Sequence, residues 1–309
     1  MAGLACAEGL VQRGHDVVLL DKGRGPGGRM STRRLQTSRG EAHFDHGAQY
    51  FTVRDQGFLS QVQDWISKGV VAPWPAAGTD AYVGVPAMNA PVRQMAARHT
   101  VHWSTLVTEV QPLGLGWHLS VENGDPFEVD LVVIATPAEQ TAALLAGVAP
   151  ELAARARAAT SEPCWTLMLA FSEPIAEARD CFTGNDVIGW AARNSAKPGR
   201  TGPECWVIQA TPDWSRLHLE SHPDEIVLEL TAAFSSAIDA ALPASIGLAA
   251  HRWRFARSAA EGSGAILDRD RCLGVCGDWL IGPRVEAAWV SGAGLADRIG
   301  TASSLSGAV

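Results

Sequence analysis

Residues suited to binding a dinucleotide are concentrated in the first thirty positions of the sequence. Gly3 and Gly14 frame an apolar stretch with the spacing of a helix, and the continuous apolar run at residues 16–21 predicts a strand that is buried on both faces. The strand ends at Asp21, where a carboxylate can accept two hydroxyls of a ribose. This order of helix, turn, strand and acid is typical of the latter part of a dinucleotide-binding βαβ unit.

A glycine-rich loop at residues 23–29 follows this strand. Its glycines allow the backbone to approach a ligand closely, and the guanidinium of Arg29 could neutralise a pyrophosphate with its fork of donors. Two structural alternatives stay open, because Asp21 could merely cap the loop and the basic residues nearby could be solvated. Those basic residues are Arg24, Arg29, Arg33 and Arg34.

The first strand and the first two glycines of a complete βαβ unit are not found before Gly3. A complete unit has a hydrophobic strand and two earlier glycines, whose backbone amides bind a pyrophosphate at the helix N-terminus. Met1 already stands in the position of that turn, and Gly3 takes the place of the third glycine, which serves packing between helix and strand. We therefore expect either that the chain was started too late or that its sheet lacks the central strand.

Three later segments could contribute to the same nucleotide site. Residues 131–137 predict a second strand buried on both faces, which should end beside the phosphate-binding loop if it joins the same parallel sheet. Residues 273–279 predict a strand that ends in Gly277 and Asp278. The helix predicted at residues 285–299 begins with small residues, which would let its N-terminus approach an anion.

The pattern changes after Glu151, and this change predicts a second domain. Antiparallel strands are predicted at residues 166–171, 187–192 and 205–210, and a long helix at residues 223–241. The expected fold class is therefore α/β, with a Rossmann-like domain and a second domain of α+β type. The first domain is assigned residues 1–73, 92–146 and 250–309, and the second is assigned residues 74–91 and 147–249.

The composition narrows the functional classes. The 309 residues, 47% of them hydrophobic, are enough for two domains with a substantial core. The net charge of −8 argues against a nucleic-acid or anionic membrane partner, because both need a positive field. Six cysteines without paired spacing indicate neither a metal site nor a disulfide framework, so we expect a reducing, cytoplasmic location. No apolar run reaches the roughly twenty residues that span a bilayer.

The ordered set of motifs resembles the bacterial renalases, which belong to the flavin amine-oxidase superfamily. The resemblance covers essentially the whole chain. Its glycine-rich pieces are shared widely among flavoproteins, whereas the Gln-Tyr-Phe-Thr and Trp-Ala-x-Arg-Asn segments are more particular. The motifs are Gly3…Asp21, Gly-Pro-Gly-Gly-Arg29, Asp45-x-Gly47-Ala48-Gln49-Tyr50-Phe51, Ile134-Ala135-Thr136-Pro137, Trp190-Ala191-x-Arg193-Asn194-x-x-Lys197-Pro198, His251-Arg252-Trp253 and Gly277-Asp278-Trp279.

The resemblance implies a Rossmann-like FAD-binding domain with its first strand truncated, joined to a domain like those of p-hydroxybenzoate hydroxylase and the amine oxidases. FAD would be held non-covalently, with Asp21 at the adenosine ribose, Arg29 at the pyrophosphate and Asp278 at the ribitol. The helix that begins near Glu286 would face the flavin's N1–O2 edge, where Ala287 replaces a usual glycine and could crowd the ring. The implied cofactor-binding residues are Gly3, Asp21, Lys22, Gly28, Arg29, Gly47, Ala48, Gln49, Thr136, Gly277, Asp278, Glu286, Ala287 and Ala288.

The resemblance also implies a reaction, in which the 2- and 6-dihydro isomers of NAD(P)H are oxidised to β-NAD(P)+ and the electrons pass through FAD to O2, releasing H2O2. Hydride transfer from a dihydropyridine needs positioning rather than a base, so no residue is singled out as catalytic. A role as a hydrogen-bonded structural histidine stays open for His251. The implied substrate-pocket residues are Gln49, Tyr50, Trp190, Arg193, Asn194, His251 and Trp289.

Two other functions stay open at this point. An amine oxidase would use the same scaffold, because a fold does not determine its substrate. A flavin-free remnant without activity is the second, because loss of a central strand removes hydrogen bonds and buried apolar surface. The expected partners are a small dihydropyridine nucleotide and O2, and the sequence does not indicate an oligomeric state.

Overall fold

The computed structural model describes residues 1–303, and the strands in this range form six separate sheets. The helices are α1 (Ala2–Val11), α2 (Gln56–Ser67), α3 (Ala90–Ala96), α4 (Ala138–Leu145), α5 (Pro150–Ala158), α6 (Pro212–Leu217), α7 (Pro223–Ile238) and α8 (Val285–Ser303). The strands are β1 (Val18–Asp21), β2 (Thr32–Thr37), β3 (Gly40–Asp45), β4 (Phe51–Thr52), β5 (Val71–Pro73), β6 (Ala81–Gly84), β7 (Thr100–Trp103), β8 (Val107–Leu113), β9 (Gly116–Val121), β10 (Phe127–Val129), β11 (Val132–Ile134), β12 (Ser161–Phe171), β13 (Cys181–Phe182), β14 (Ile188–Arg193), β15 (Glu204–Ala210), β16 (Ser245–Ser258), β17 (Ile266–Asp268) and β18 (Leu273–Val275).

The parallel strands lie in two separate groups. β1 pairs with β7, and β11 pairs with β18, which also carries the antiparallel β17. Within the described residues β1 and β11 do not pair with each other, so each has one edge without a strand partner. Residues of both strands line the same cavity.

Helix α1 begins where these two groups approach each other. A Cβ built on Gly3 would lie 3.2 Å from Cβ of Ala135, which follows β11, and 3.9 Å from the side chain of Leu19 in β1. On its other side α1 packs against α8, where a Cβ on Gly292 would come within 2.1 Å of the carbonyl oxygen of Ala2. The two helices therefore approach closely beside the strand groups.

The strand predicted at residues 16–21 is present as β1, but the prediction that both of its faces are buried is wrong. Val18 is 38% exposed, although it belongs to a continuous apolar run. The reason is that β1 borders the cavity on one side, where a buried parallel strand would have a neighbouring strand.

The second half of the molecule is built on a five-stranded antiparallel sheet in the order β13-β14-β15-β12-β16. One face packs against α7, where Phe234 and Trp206 are both fully buried. The opposite face packs against the hairpin of β2 and β3 through Phe44 and Met168. β16 continues through the domain boundary predicted at residue 250, because it stays paired with β12 as far as Ser258.

Two smaller sheets complete the fold. β8, β9 and β10 form an antiparallel sheet, and Asn123 and Gly124 lie between β9 and β10. The segment at residues 73–91 contains β6, which pairs with both β4 and β5. None of the helices described is long and apolar enough to cross a membrane.

Candidate active site

A cavity of about 2480 Å³ extends from the edges of β1 and β11 to the five-stranded sheet. Small-molecule sites are typically about 300–1,000 Å³, so this cavity has room for a ligand of dinucleotide size. The residues expected to bind a cofactor that line it are Gly3, Asp21, Lys22, Gly28, Arg29, Gly47, Ala48, Gln49, Thr136, Gly277, Asp278 and Ala288.

Asp21 lies at the carboxyl end of β1, where it borders the cavity. Its Oδ1 accepts a hydrogen bond of 2.7 Å from the backbone amide of Gly23, which is the capping role left open by the sequence. A carboxylate accepts about four hydrogen bonds, so this bond leaves capacity for a ligand. Gly28, later in the same loop, has a φ of +53°, and a Cβ on it would meet nothing within 4 Å. Its left-handed conformation favours glycine and leaves open space beside the loop.

Arg29 and Asp278 form a two-bonded ion pair across the cavity. Nη1 of Arg29 lies 2.8 Å from Oδ2 of Asp278, and Nη2 lies 2.5 Å from Oδ1. The resemblance implied that these residues bind separate parts of the cofactor, whereas the structure brings their charges together. This planar pairing fixes the guanidinium and joins the glycine-rich loop to the segment after β18.

The segment at residues 46–50 is held against the same loop. The amide of Ala48 donates to the carbonyl oxygen of Arg29 at 2.8 Å, and a Cβ on Gly47 would lie only 2.0 Å from that oxygen. The backbone amides of Gly47 and Gln49 donate to no other described residue. These two amides are therefore available for a group bound in the cavity.

The start of α8 reaches the cavity through Val285 and Ala288. The carboxylate of Glu286 is turned away from it, since Oε1 accepts from the amides of Arg54 and Asp55 at 2.5 and 2.7 Å. Ala287 is also buried outside the cavity lining, so its methyl group does not narrow the cavity.

The far wall of the cavity comes from the five-stranded sheet. Trp190 of β14 and Gln209 of β15 are paired neighbours, and both line the cavity. The ring of Tyr50 faces Trp190 with 5.5 Å between centroids, and Nε2 of Gln209 donates to the carbonyl oxygen of Gly47 at 2.7 Å. Sequence reasoning missed Gln209 and several other wall residues, because which strand residues face the cavity depends on the register with neighbouring strands. These residues are Cys164, Gln209, Arg252, Trp253 and Arg254.

Three of the residues expected in the substrate pocket do not line the cavity because other contacts hold them. Nε of Arg193 lies 3.3 Å from Oε1 of Glu204, and its guanidinium stacks over Trp206. Asn194 is fully buried and donates to the carbonyl oxygen of His43 at 2.8 Å. Trp289 packs against the ring of Phe58, with 5.6 Å between centroids.

His251 is the fourth expected pocket residue outside the lining, and it belongs to an aromatic cluster. Its ring centroid lies 4.9 Å from that of His46 and 4.5 Å from that of Trp253. Burial lowers the pKa of His251, and the nearby Arg33 lowers it further. Burial, His251 and Arg33 together lower the pKa of His46 to about 4. Both rings are therefore neutral at pH 7.

Two family models match separate parts of the chain. The model described as NAD(P)-binding Rossmann-like domain matches residues 1–64. The model described as Flavin containing amine oxidoreductase matches residues 74–299.

Two solved structures share the fold. Cyclohexylamine oxidase from Brevibacterium oxydans IH-35A aligns with 98% of this chain and 97% of its own, with a TM-score of 0.69 and 11% identity. A proposed protoporphyrinogen oxidase from Exiguobacterium sp. 255-15 aligns with 72% of this chain, with a TM-score of 0.57 and 16% identity, and the alignment spans 53% of that protein. The predicted fold class, a Rossmann-like domain joined to an amine-oxidase-like domain, is confirmed.

Proposed function

This chain belongs to the flavin containing amine oxidoreductase family, and from that premise we propose that it is an FAD-dependent oxidase of the 2- and 6-dihydro isomers of NAD(P)H, as the bacterial renalases are. The isomer loses a hydride and becomes β-NAD(P)+. That hydride, together with one proton from solvent, reduces O2 to H2O2, so the overall reaction balances.

The observation that carries this proposal is the charge of the cavity wall contributed by the five-stranded sheet. The charged residues of this wall are all arginines, namely Arg252, Arg254 and Arg257. Arg252 and Arg254 share Glu220 as their ion-pair partner, whereas Arg257 forms no ion pair with any described residue. Such a wall attracts the phosphates of a dinucleotide substrate and repels a cationic amine.

The opposite end of the cavity fits FAD. Asp21 would hold the adenosine ribose, and the start of α8 with Arg284 would attract an anionic part of the cofactor. The amides of Gly47 and Gln49 would donate to polar atoms of the bound group. Bound FAD would supply the ring atom that accepts a hydride.

The chain's own contribution to the reaction would be positioning. Tyr50 and Trp190 present aromatic surface to a flat substrate, and Gln209 offers an amide beside them. A dihydropyridine that loses a hydride becomes an aromatic cation and has no proton to give up, so the site needs no general base.

Non-covalent attachment of FAD is part of the proposal. Cys164 lines the cavity, and burial raises the pKa of its thiol to about 11. At pH 7 this cysteine is therefore a thiol, which is a poor nucleophile. Acid precipitation of the loaded protein should leave the flavin absorbance in the supernatant, and yellow precipitated protein would contradict non-covalent binding.

Anaerobic mixing tests the substrate. The full chain loaded with FAD is mixed with 6-dihydro-NAD, with 2-dihydro-NAD or with cyclohexylamine, and flavin absorbance is followed. We expect rapid bleaching by the dihydro isomers and none by the amine. The reverse pattern would replace this proposal by an amine oxidase.

An amine oxidase is the second candidate, because an aromatic pair borders the cavity. The rings of Tyr50 and Trp190 meet at 42°, and such a pair could flank a neutral amine near the flavin. This candidate predicts that the rate of bleaching by an amine rises with pH as the amine loses its proton. A chain that is folded but colourless, and that FAD does not reconstitute, would instead favour the flavin-free remnant.

A further inference from the structure

A fully buried charge cluster lies directly behind the cavity segment at residues 46–50. Its centre is the carboxylate of Asp45, the last residue of β3. Oδ2 of Asp45 lies 3.3 Å from Nζ of Lys197 and 2.5 Å from Nη2 of Arg200. The side chains of Asp45 and Lys197 are 0% exposed, and that of Arg200 is 2% exposed.

This cluster carries one more positive charge than negative. Asp45 is the only carboxylate among the described residues that lies within ion-pair distance of Lys197 or Arg200. The remaining oxygen of Asp45 is occupied by neutral donors, the hydroxyl of Thr32 at 2.6 Å and the amide of Met88 at 3.0 Å. A buried charge without a partner is costly, so the surplus cation requires an explanation.

Lys197, and not Arg200, connects the cluster to the cavity. Nζ of Lys197 donates to Oε1 of Gln49 at 3.2 Å. Nε2 of Gln49 in turn donates to the carbonyl oxygens of Asp45 and Gly47, which fixes the turn of this segment. Arg200 donates instead to the carbonyl oxygens of Gly84 and Pro198, away from the segment.

We propose that Lys197 is a positioning residue that fixes the cavity segment through Gln49 and places the surplus positive charge behind the amides of Gly47 and Gln49, where it stabilises negative charge on a bound flavin. This role rests on the proposed function only in that the bound group is FAD. A cation one side chain away from the cavity acts through a medium of low dielectric, so its effect on a bound anion is large.

The charge of Lys197 should itself depend on pH. Burial lowers the pKa of Lys197 to about 8. The negative charge of Asp45 raises this pKa, and repulsion by Arg200 lowers it. The thiol of Cys181 also interacts with Lys197, and burial raises the pKa of that thiol. Although burial alone would raise the pKa of Asp45, Lys197 and Arg200 hold it far below its usual range, so Asp45 stays charged throughout. Lys197 is therefore the group that changes the charge of the cluster near pH 8.

The test compares the binding of reduced and oxidised FAD under anaerobic conditions at pH 7 and pH 9.5. In the wild-type chain the preference for reduced FAD should fall about tenfold between these pH values, as the cation is lost. Lys197→Met should show the low preference at both pH values. Lys197→Arg, whose guanidinium stays charged, should keep the high preference at both. Lys68→Met, which removes an exposed lysine paired with Asp64, is the matched control and should behave like the wild type.

A purely structural role for Lys197 would weaken both forms of FAD equally, and equal weakening would overturn the proposal. So would a preference that changes with pH in Lys197→Met as it does in the wild type. If Lys197→Arg does not fold, the wild type and Lys197→Met still decide the question, because only the wild type should change its preference for reduced FAD between pH 7 and pH 9.5.

Urea unfolding of the unloaded chain separates this proposal from the proposed function. Because the pKa of Lys197 lies below its unfolded value of 10.5, the wild type should gain stability relative to Lys197→Met as pH rises from about 8 to 10.5. A wild-type chain that shows this gain but binds no FAD overturns the proposed function and the flavin role of Lys197 together. A chain that binds FAD with the same preference in wild type and Lys197→Met overturns only the role of Lys197.

Discussion

The strands on the two sides of the cavity differ in how completely they are covered. In β12 every residue from Pro163 to Phe171 is buried, with strands on both edges and side chains packed on both faces. In β1 no residue is fully buried, and one edge borders the cavity. The antiparallel sheet is therefore stabilised by its own packing, whereas β1 leaves part of its surface open to the cavity.

The parallel groups are held in place from outside by helices and by ion pairs, including the pair of Arg29 and Asp278. α1 and α8 pack closely enough that Gly292 is needed at their contact, and Arg29 joins the glycine-rich loop to Asp278. The helices and ion pairs therefore fix the position of the cavity, although no side chain of the described residues fills it. Four predictions test whether stability is divided between the two regions in this way.

The largest effect is expected in the core of the antiparallel sheet. Trp206 is fully buried between the sheet and α7, so Trp206→Ala should lower the free energy of unfolding by about 3–5 kcal/mol. Val18→Ala in β1 is the matched change beside the cavity and should cost about 1 kcal/mol or less, since Val18 is already 38% exposed. Urea unfolding measures both, and equal losses would show that the two regions are packed alike.

The next effect concerns His46, at the junction of the two regions. Its folded pKa of about 4 lies below the ordinary value of 6.5, so the unfolded chain binds the proton more readily. Stability is then fully present above about pH 6.5 and is lost as pH falls towards 4, by about 3 kcal/mol.

His46→Gln should remove this part of the pH dependence, which is measured as the difference between the unfolding free energies of variant and wild type across pH 4–7. The reason is that glutamine has no proton to gain, so the variant loses the cost of charging a buried ring beside His251 and Arg33. A difference that stays constant with pH would mean that the junction opens to solvent before His46 is protonated.

Binding of FAD should stabilise the parallel side more than the antiparallel side. At a free concentration of 100 times the dissociation constant, a ligand stabilises the folded state by about 2.7 kcal/mol. Amide hydrogen exchange should slow in β1, β11 and residues 46–50 when FAD is added, while β12 should already be protected without it. If FAD slowed exchange equally in β12, the strands on both sides of the cavity would open together. Stability would then not be divided between the two regions.

How much of this could be predicted from the sequence depends on the range of the interactions involved. Local periodicity was enough for α1, β1, α7 and the strands around α7. Which strand residues face the cavity depends on register with neighbouring strands, and for that reason Gln209, paired with Trp190, was missed.

Long-range polar contacts were also beyond the sequence. Arg193 and Asn194 were predicted as pocket residues, yet their partners are Glu204 and the carbonyl oxygen of His43. Lys197 was part of the motif that carried the resemblance, but nothing in its spacing indicated Asp45, which is 152 positions away. The predicted binding roles of the residues that do line the cavity stay predictions until a ligand is bound.

The smallest effect is expected at the contact between the glycine-rich loop and the segment at residues 46–50. This contact lies where the two sides of the cavity meet. In Gly47→Ala the new Cβ would lie 2.0 Å from the carbonyl oxygen of Arg29, so the two segments must separate. We expect a loss of about 1–3 kcal/mol in unfolding free energy, the usual cost of overpacking, and weaker binding of FAD because the amides of Gly47 and Gln49 move with the segment. Gly25→Ala in the same loop is the control, since its Cβ would meet nothing within 4 Å. If both variants bind FAD equally well, the position of residues 46–50 does not matter for the cofactor, and the cavity wall is set by the antiparallel sheet alone.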